Sequence, residues 1–358
     1  MITKESLQFT NIVYDNKIKD SEKYVDRANK IISMFPEAKI HYTNSYWRNE
    51  ITSGFTPEEW IKVKKDYLVL GLRRTFKFQD SGRSTDFIPP SHSTGCLSAC
   101  QYCYHARRTT SSGYGGNPMS ILLNHEEIWH HMKNHSRMLP KKQANQCDPI
   151  YWTYDIGNVN DVSIDAMISD APAYLIKQAA EQEILKLSFA TKTVNEESFL
   201  KLDPKGKTRI RYSLMPQEIS KFVDIRTSKI SDRIKSVNNL VDAGYEVHLN
   251  FSPVILYENC KADWLNLFKE IDDTLSDKAK RQLACEIIFL THNRDLHKFN
   301  LDWNPVGESF LWNPKIQEPK NHKPDVIRYK GALKQKYVQA FCSDLNRLLP
   351  YCKIRYAF

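Results

Sequence analysis

Hydrophobic residues recur with two different spacings along the first ninety residues. From Ser21 to Phe35 they stand three or four positions apart, which predicts a helix with one apolar face. Thr56 followed by Pro57 and Glu59 is typical of the start of a second helix. Short apolar runs at 39–42 and 67–72 predict strands. Residues 1–85 are therefore expected to form a small α/β lobe.

Strand-like apolar runs and helical patterns alternate regularly from residue 150 onwards. The strand-like runs lie at 150–156, 184–191, 209–214, 246–251 and 285–290. This alternation predicts parallel strands joined by helical crossovers, hence either a barrel or an open doubly wound sheet over residues 86–300. Residues 301–358 are expected to be a C-terminal extension that adds the last layer. Two polar stretches, 80–86 and 109–116, predict connections without regular structure.

Polar residues follow several of the predicted strands. In barrels the chemistry lies at the carboxyl ends of the strands, so these residues are site candidates. They lie at 154–155, 191–192, 213, 252–253 and 291–293, and include Tyr154, Asp155, Lys192, Ser213, Ser252 and His292.

The composition is that of an ordinary globular protein, with 358 residues, 41% hydrophobic and 26% charged. Since no apolar run reaches the length of a membrane helix and the first ten residues lack a signal-peptide core, we expect a cytoplasmic protein that does not enter the membrane. Eight cysteines in a chain of this length do not indicate a secreted disulfide framework.

Basic residues exceed acidic ones, which gives a net charge of +9. They concentrate in clusters at 62–65, 72–78, 107–108 and 205–211, and aromatic residues interleave with the second cluster. Such a surface suits nucleic acid, although solvated strand and helix faces account for each cluster separately.

Three cysteines stand close together in a C-x3-C-x2-C pattern, at Cys96, Cys100 and Cys103. One short loop can thereby place three thiolates on an iron–sulfur cube and leave the fourth iron without a protein ligand. Zinc would normally require a fourth protein ligand or a catalytic water, and no C-x2-C pair occurs elsewhere. The pattern is the signature of radical S-adenosylmethionine (SAM) enzymes, in which the open iron binds the amino acid part of SAM.

The order of motifs resembles the spore photoproduct lyase family of radical SAM enzymes, which revert a thymine lesion in DNA. The segments that carry the resemblance are 70–78, 94–104, 190–192, 207–213 and 243–245. The resemblance implies a partial (β/α)6 barrel of the TIM type, a 4Fe-4S cluster, SAM, a DNA photolesion as substrate, and an electron donor such as flavodoxin or ferredoxin.

The resemblance also implies roles for individual residues. Cys96, Cys100 and Cys103 would hold the cluster. Lys192 and Ser213 match positions that hold SAM, and Tyr154 and Ser252 fall at two further such positions with residue types that differ. Tyr102 and Tyr104 would relay or shelter the radical, with Tyr104 also against the cofactor. Arg328 and Tyr329 resemble a lesion-binding hairpin. Plain packing, a solvated lysine and a strand-edge pair are the structural alternatives.

One departure concerns the hydrogen donor. The family has a cysteine in the segment that corresponds to Trp152–Asp155, where this chain has none. Cys147 is a candidate substitute, and an inert buried thiol is the alternative. Two other functions therefore stay open: a radical SAM enzyme that modifies RNA, a peptide or a small molecule, and an iron–sulfur protein that binds nucleic acid without catalysis.

Histidines crowd the helix predicted from residue 124, at 125, 130, 131 and 135. Because no third ligand at a suitable spacing completes a metal motif, we expect a solvated helix face there.

Overall fold

The computed structural model describes residues 2–44, 57–103, 107–110, 113–116 and 118–358. The strands are β1 (Asn11–Asp15), β2 (Lys39–Thr43), β3 (Tyr67–Gly71), β4 (Gln79–Asp80), β5 (Phe87–Ile88), β6 (Ser93–Thr94), β7 (Arg107–Thr110), β8 (Gly113–Gly116), β9 (Met119–Leu122), β10 (Trp152–Asp155), β11 (Leu185–Thr191), β12 (Thr208–Leu214), β13 (Glu246–Val254), β14 (Ala284–Phe289), β15 (Thr291–Asn293), β16 (Gln317–Lys320), β17 (Lys323–Tyr329) and β18 (Lys353–Ala357). The helices are α1 (Glu22–Ile32), α2 (Pro57–Asp66), α3 (His125–Met138), α4 (Val162–Asp165), α5 (Ala171–Ala180), α6 (Glu196–Phe199), α7 (Gln217–Val223), α8 (Ile230–Asp242), α9 (Cys260–Thr274), α10 (Asp277–Gln282), α11 (Arg294–Trp303), α12 (Pro305–Leu311) and α13 (Gly331–Leu348).

The largest sheet has eight strands in the order β18-β14-β13-β12-β11-β10-β5-β4. Neighbouring strands are parallel except for the short antiparallel edge pair β4 and β5. Parallel strands require crossovers, and here helices supply most of them, which buries one face of the sheet in a large apolar core. The predicted α/β fold with a partial barrel is confirmed. None of the described helices is long and apolar enough to cross a membrane.

Side chains alternate between the two faces of this sheet. Tyr212 lies on the outer face, where its hydroxyl is 3.0 Å from that of Ser236 on α8. Arg211, its neighbour, points inwards and pairs with Asp155 at 2.7 Å and Glu286 at 3.2 Å. Asp155, a site candidate, is therefore held in an ion pair across the inner face.

A second sheet has the order β2-β1-β3-β9-β6. Its strands β6 and β9 come from beyond residue 86, so this sheet does not end at the predicted lobe boundary. Strand β18, from the C-terminal extension, forms the edge of the barrel sheet beside β14. A small antiparallel sheet, β15-β17-β16, follows the barrel strand β14.

Of the two stretches expected to lack regular structure, 80–86 does lack it after Asp80, although its last residue is held firmly. Asp86 is buried, and its carboxylate accepts hydrogen bonds from the backbone and hydroxyl of Thr153 at 2.9 and 2.8 Å. The stretch 109–116 contributes to a two-stranded antiparallel pair, β7 and β8. The expectation was wrong only for the second stretch, because the backbone hydrogen bonds between β7 and β8 require no apolar side chain.

Candidate active site

The cysteine loop, residues 95–103, follows the short strand β6 and contacts the segment after α7. The backbone N–H of Ala99 donates to the Ile225 carbonyl at 3.0 Å, and that of Gln101 donates to the Val223 carbonyl at 2.9 Å. These hydrogen bonds tie the loop to the carboxyl-end side of the barrel sheet, because α7 follows the end of β12.

Gly95 allows the loop to begin where it does. Its φ is +80°, a left-handed conformation that favours glycine. A Cβ at this position would lie 2.4 Å from the Pro118 carbonyl oxygen, which no side chain tolerates.

The three thiols of the loop are free, with Cys100 buried and Cys96 and Cys103 partly exposed. The backbone N–H of Ser98 donates to the Cys96 sulfur at 3.4 Å. Burial raises the pKa of the Cys96 thiol to about 12 and that of Cys100 well above its ordinary value. Thiolates at this place therefore need nearby positive charge, which the irons of a cluster would supply. Three soft ligands on one loop fit a 4Fe-4S cluster with one open iron.

Two cations stand beside the same loop. Lys64, at the end of α2 and 5% exposed, donates to the Ser98 carbonyl. Burial lowers its pKa to about 8, while the Cys96 and Cys103 thiols oppose that shift. Burial also lowers the pKa of Arg226, opposed by the Cys96 thiol. This pair favours negative charge on the loop.

Buried Asp224 joins the loop to the barrel. Its carboxylate accepts a hydrogen bond from the Tyr102 hydroxyl. The Lys192 ammonium lies 3.2 Å and the Arg233 guanidinium 3.5 Å from its other oxygen. Burial alone would raise the pKa of Asp224, but Lys192, Arg233 and Tyr102 together lower it below its ordinary value. Asp224 is thus a carboxylate that fixes two of the predicted residues, Tyr102 and Lys192.

The strand ends of β12 and β13 complete this arrangement. Lys192 also donates to the Ser252 carbonyl at 3.3 Å, and its ammonium lies 5.2 Å from the centre of the Tyr102 ring. The Ser213 hydroxyl accepts a long hydrogen bond, 3.4 Å, from the Asn250 amide. The structure therefore brings Tyr102, Lys192, Ser213 and Ser252 together at the carboxyl ends of the barrel strands, beside the three cysteines.

Tyr154 does not join them. It is fully buried on the outer face of the sheet, where its hydroxyl lies 2.8 Å from His135 Nδ1 on α3. Tyr104 lies outside the described residues, so the structure gives it no place.

Cys147 lies elsewhere as well. Its thiol is 1% exposed and 3.3 Å from the Arg83 carbonyl. Its own carbonyl accepts from Arg209, the second residue of β12, at 2.7 Å. Cys147 is thus near the amino ends of the strands, away from the site. Burial raises the pKa of its thiol to about 11. This position argues against the predicted role of hydrogen donor.

Arg328 and Tyr329 lie on β17 of the small hairpin sheet and face different surroundings. Tyr329 is 2% exposed, and its hydroxyl accepts from the Leu256 backbone N–H at 2.9 Å. Arg328 is partly exposed, with its guanidinium 3.5 Å from Glu318. A buried tyrosine cannot wedge a base, so only Arg328 keeps the geometry of a direct ligand contact.

The expected solvated face of the histidine-rich helix α3 is only partly confirmed, since His130 and His131 are exposed whereas His125 and His135 are not. His125 is buried, His131 stacks on Phe76 at 4.2 Å, and His135 stacks on Phe78 at 4.1 Å. These rings pack the helix onto the barrel.

Sequence reasoning missed Lys64, Asp224, Arg226, Arg233 and Asn250. Lys64 stands four positions after Trp60 and beside Val63, on the apolar stripe of its helix, and a lysine on such a stripe is a signal of burial. Asn250 stands two residues before Ser252, on the same face of β13, so strand alternation would have found it. For Asp224 and Arg226, in a connection after a helix, the sequence carried no signal.

Comparison with known proteins agrees with this architecture. The sequence model of the spore photoproduct lyase family matches residues 17–305. Spore photoproduct lyase from Clostridium acetobutylicum is 29% identical over 224 residues, and the match covers 63% of this chain and 62% of that relative, just under two thirds of its length. The Bacillus subtilis lyase is 25% identical over 250 residues, covering 70% of this chain and 69% of the relative.

Solved lyase structures have the same fold. One, a double mutant with bound AdoMet and dinucleoside spore photoproduct, gives a TM-score of 0.85 at 17% identity and covers 98% of this chain and 99% of its own. Another, complexed with dinucleoside spore photoproduct, gives 0.84 at 18% identity with the same coverage. At such low sequence identity the structural likeness establishes the fold alone. The family membership rests on the sequence model, which matches most of the chain. This chain belongs to the spore photoproduct lyase family.

Proposed function

We propose that this chain is a radical SAM lyase that reverts the spore photoproduct, a thymine lesion, in DNA. The observation that carries the proposal is the meeting of the three free thiols of the cysteine loop with Lys192, Ser213 and Ser252 at the carboxyl ends of the barrel strands. Barrel enzymes place their chemistry at this face, and the relatives that match in sequence are themselves named as lyases.

Cys96, Cys100 and Cys103 would hold the cluster, with Lys64 and Arg226 balancing its charge. When bound, the cluster supplies the electron that cleaves SAM to methionine and a 5′-deoxyadenosyl radical. The source of that electron, a flavodoxin or a ferredoxin, belongs to the proposal as well. The residues of the chain bind SAM, orient the lesion and exclude water.

Lys192 is suited to hold the SAM carboxylate. An ammonium donates three hydrogen bonds, and among the described residues Lys192 uses two, to Asp224 and to the Ser252 carbonyl. Its third proton is left for a ligand. Asn250 is 7% exposed and its Oδ1 lacks a hydrogen-bond partner in the described part of the chain, so it offers SAM an acceptor beside the Ser213 hydroxyl.

Tyr102 is suited to return a hydrogen atom to the thymine radical: its O–H bond would break, a C–H bond would form, and the tyrosyl radical left behind would regain hydrogen from 5′-deoxyadenosine through the relay of Tyr102 and Tyr104. Burial raises the pKa of its phenol well above the ordinary value, and the neighbouring Asp224 raises it further, so the hydroxyl keeps its proton. The hydrogen bond to Asp224 fixes where that hydrogen lies. For Tyr104, the next tyrosine in the sequence, we propose the two roles that the resemblance implies: relaying or sheltering the radical together with Tyr102, and contacting the cofactor.

The net charge of +9 suits a DNA substrate. Arg328, on the hairpin sheet and partly exposed, would contact a phosphate. Tyr329 would act indirectly, because its hydroxyl anchors the Leu256 backbone at the end of β13.

The test uses anaerobically reconstituted protein with SAM, a reductant and dinucleoside spore photoproduct. We expect loss of the lesion, release of the undamaged thymine dinucleoside and formation of 5′-deoxyadenosine. Cys100→Ala should abolish all of these, whereas the matched control Cys342→Ala, at a partly exposed thiol on α13, should retain them. Full SAM cleavage without loss of the lesion would overturn the proposed substrate.

One observation favours a second candidate, a radical SAM enzyme of the same family with another substrate. No cysteine lies at β10, and Cys147 lies away from the site. If the hydrogen donor differs from that of the family, then either the path by which hydrogen returns or the substrate has changed. An intact cluster that binds no SAM would instead indicate a non-catalytic nucleic-acid-binding protein.

A further inference from the structure

A compact cluster of ligating side chains lies outside the proposed active site. It consists of His292 on β15, His297 on α11 and Glu308 on α12, whose ligand atoms all lie within 4.8 Å of one another. His292 Nε2 is 2.8 Å and His297 Nδ1 is 2.6 Å from the same Glu308 oxygen, Oε1. We propose that this cluster, the His–His–Glu site, binds one divalent transition-metal ion, with zinc as the ion to test.

The charge of Glu308 is the first argument. The side chain is 1% exposed, and its second oxygen accepts a hydrogen bond from the Asn300 amide. In the described part of the chain its ion-pair partners are the two imidazoles, with no lysine or arginine among them. A buried carboxylate needs a compensating positive charge. A divalent cation supplies that charge while both imidazoles stay neutral.

The donor set is the second argument. Two imidazole nitrogens and one carboxylate oxygen are ligands that zinc accepts, at about 2.0–2.2 Å, and three protein ligands leave a fourth position for water. Tetrahedral ligands at that distance stand about 3.4 Å apart. The present contacts of 2.6 and 2.8 Å are hydrogen bonds, so each would lengthen by about 0.6–0.8 Å in order to admit the ion. His297, with 20% of its side chain exposed, leaves solvent a path to the fourth position.

Surrounding contacts already fix the ligands. The His297 ring stacks on Trp312 with centroids 3.9 Å apart, and Asn300 holds the carboxylate of Glu308. Outer contacts of this kind orient ligands and raise the affinity of metal sites.

The site is connected to the cysteine loop. The Asn300 amide, which holds Glu308, also donates to the Gln101 carbonyl at 3.1 Å. Gln101 in turn donates to the Asn304 carbonyl at 2.9 Å, and Gly307 on α12 packs so closely that a Cβ there would lie 1.8 Å from the Gln101 side chain. An ion that joins β15, α11 and α12 would therefore stiffen the support on which the loop between Cys100 and Cys103 rests. Its role would be positional, separate from the cluster.

The experiment measures zinc in the reconstituted holoenzyme after equilibration with zinc and removal of the excess. We expect about one zinc per chain, with an X-ray absorption spectrum of nitrogen and oxygen ligands near 2.0–2.1 Å and no sulfur at about 2.3 Å. His297→Gln should weaken zinc binding at least 100-fold. His130→Gln, the same change at an exposed histidine on α3, should leave it unchanged.

Glu308→Gln is a second variant, needed in case His297→Gln fails to fold. Its amide can still form hydrogen bonds but carries no charge. We expect Glu308→Gln to lose zinc binding while its circular dichroism spectrum stays that of the parent protein. A zinc shell that contains sulfur, zinc content far below one per chain, or equal zinc binding in Glu308→Gln and the parent protein would overturn the site. None of these readouts depends on lesion repair, so the site and the proposed function can fail separately.

Discussion

Lys64 is a buried cation that faces the cysteine loop from the end of α2. Its ammonium donates to the Ser98 carbonyl, between two of the proposed cluster ligands, in a region from which water is largely excluded. Positive charge at short range and low dielectric stabilises the more reduced, more negative state of an iron–sulfur cluster.

We therefore expect Lys64→Met to make the midpoint potential of the reconstituted cluster more negative. Redox titration followed by electron paramagnetic resonance measures this directly. Lys62→Met, the same change at an exposed position of the same helix, is the control and should leave the potential unchanged. Equal potentials in the two variants would show that Lys64 serves only the fold.

His248 makes stability depend on pH. The side chain is buried beside Glu246 at 2.8 Å, and burial lowers its pKa from 6.5 to about 4, an effect opposed by Glu246 and assisted by Arg209. The unfolded chain binds the proton more tightly, so the stabilising contribution is complete above pH 6.5 and is lost as the pH falls towards 4.

The contribution is on the order of 3 kcal/mol, at about 1.4 kcal/mol per pKa unit. Denaturant unfolding at several pH values should show the free energy of unfolding of the parent protein falling faster below pH 6.5 than that of His248→Gln. Parallel curves for the two proteins would refute the assignment.

At the level of elements, the cysteine loop is held by the close approach of β6 to the start of β9. Gly95 has a φ of +80°, and a Cβ there would lie 2.4 Å from the Pro118 carbonyl oxygen, whereas Gly82 has a φ of +70° and nothing within 4 Å of its Cβ position. The two glycines thus share a left-handed conformation that would strain any other residue, and they differ in the steric contact.

Gly82→Ala should lower the free energy of unfolding by about 1–2 kcal/mol, which is the cost of placing an alanine in a left-handed conformation without any steric clash. Gly95→Ala should cost more, because the Pro118 backbone must also shift, and it should lower the iron bound per chain. Iron analysis and denaturant unfolding of both variants test this. Full iron content in Gly95→Ala would mean that the loop does not depend on this contact.

The hairpin sheet contains one residue that anchors the backbone, Tyr329, and one that is exposed to a ligand, Arg328. Tyr329→Phe leaves the buried Leu256 N–H without its acceptor, which should cost about 1–3 kcal/mol. Arg328→Ala should leave stability within about 0.5 kcal/mol, since its pairing with Glu318 is partly exposed.

For DNA binding we expect the change at Arg328 to have the larger effect and the change at Tyr329 the smaller one. If Arg328 contacts a phosphate, Arg328→Ala weakens binding of a lesion-containing oligonucleotide and lowers the salt slope by about one. Binding and salt slope that match the parent protein would exclude the phosphate contact.

At the level of the whole molecule, the sequence predicted most of the barrel because strand-like runs and helices alternate strongly after residue 150. It also indicated Lys192, Ser213 and Ser252, which the structure brings near one another, since polar residues after apolar strands are easy to recognise. Tyr154 was misplaced because a one-residue difference along a strand exchanges the inner and outer faces. Asp224 could not be found, because a lone carboxylate in a connection has no pattern, and its role comes only from the partners that the fold brings to it.

Cys147 and Tyr102 lie at opposite ends of the barrel, so we expect different roles for them. Cys147 contacts Arg209, the second residue of β12, and Ser213 is the sixth, so about 13 Å of strand separates that contact from the site. Tyr102, by contrast, lies within the Lys192–Asp224 arrangement. Cys147→Ala should therefore leave the rate of lesion reversal within about twofold of the parent protein. Tyr102→Phe, which keeps the ring and removes the hydroxyl, should reduce that rate by about 100-fold or more.

Deuterium tracing makes the comparison decisive. In heavy water the exchangeable Tyr102 hydroxyl carries deuterium, so the restored thymine should acquire it in the parent protein and equally in Cys147→Ala. A large loss of turnover or of label in Cys147→Ala, with SAM cleavage and stability intact, would return the donor role to the thiol. Such a result would require the amino end of the barrel to be open to the lesion, and the ion pairs of Arg211 and Arg209 across the inner face stand against that.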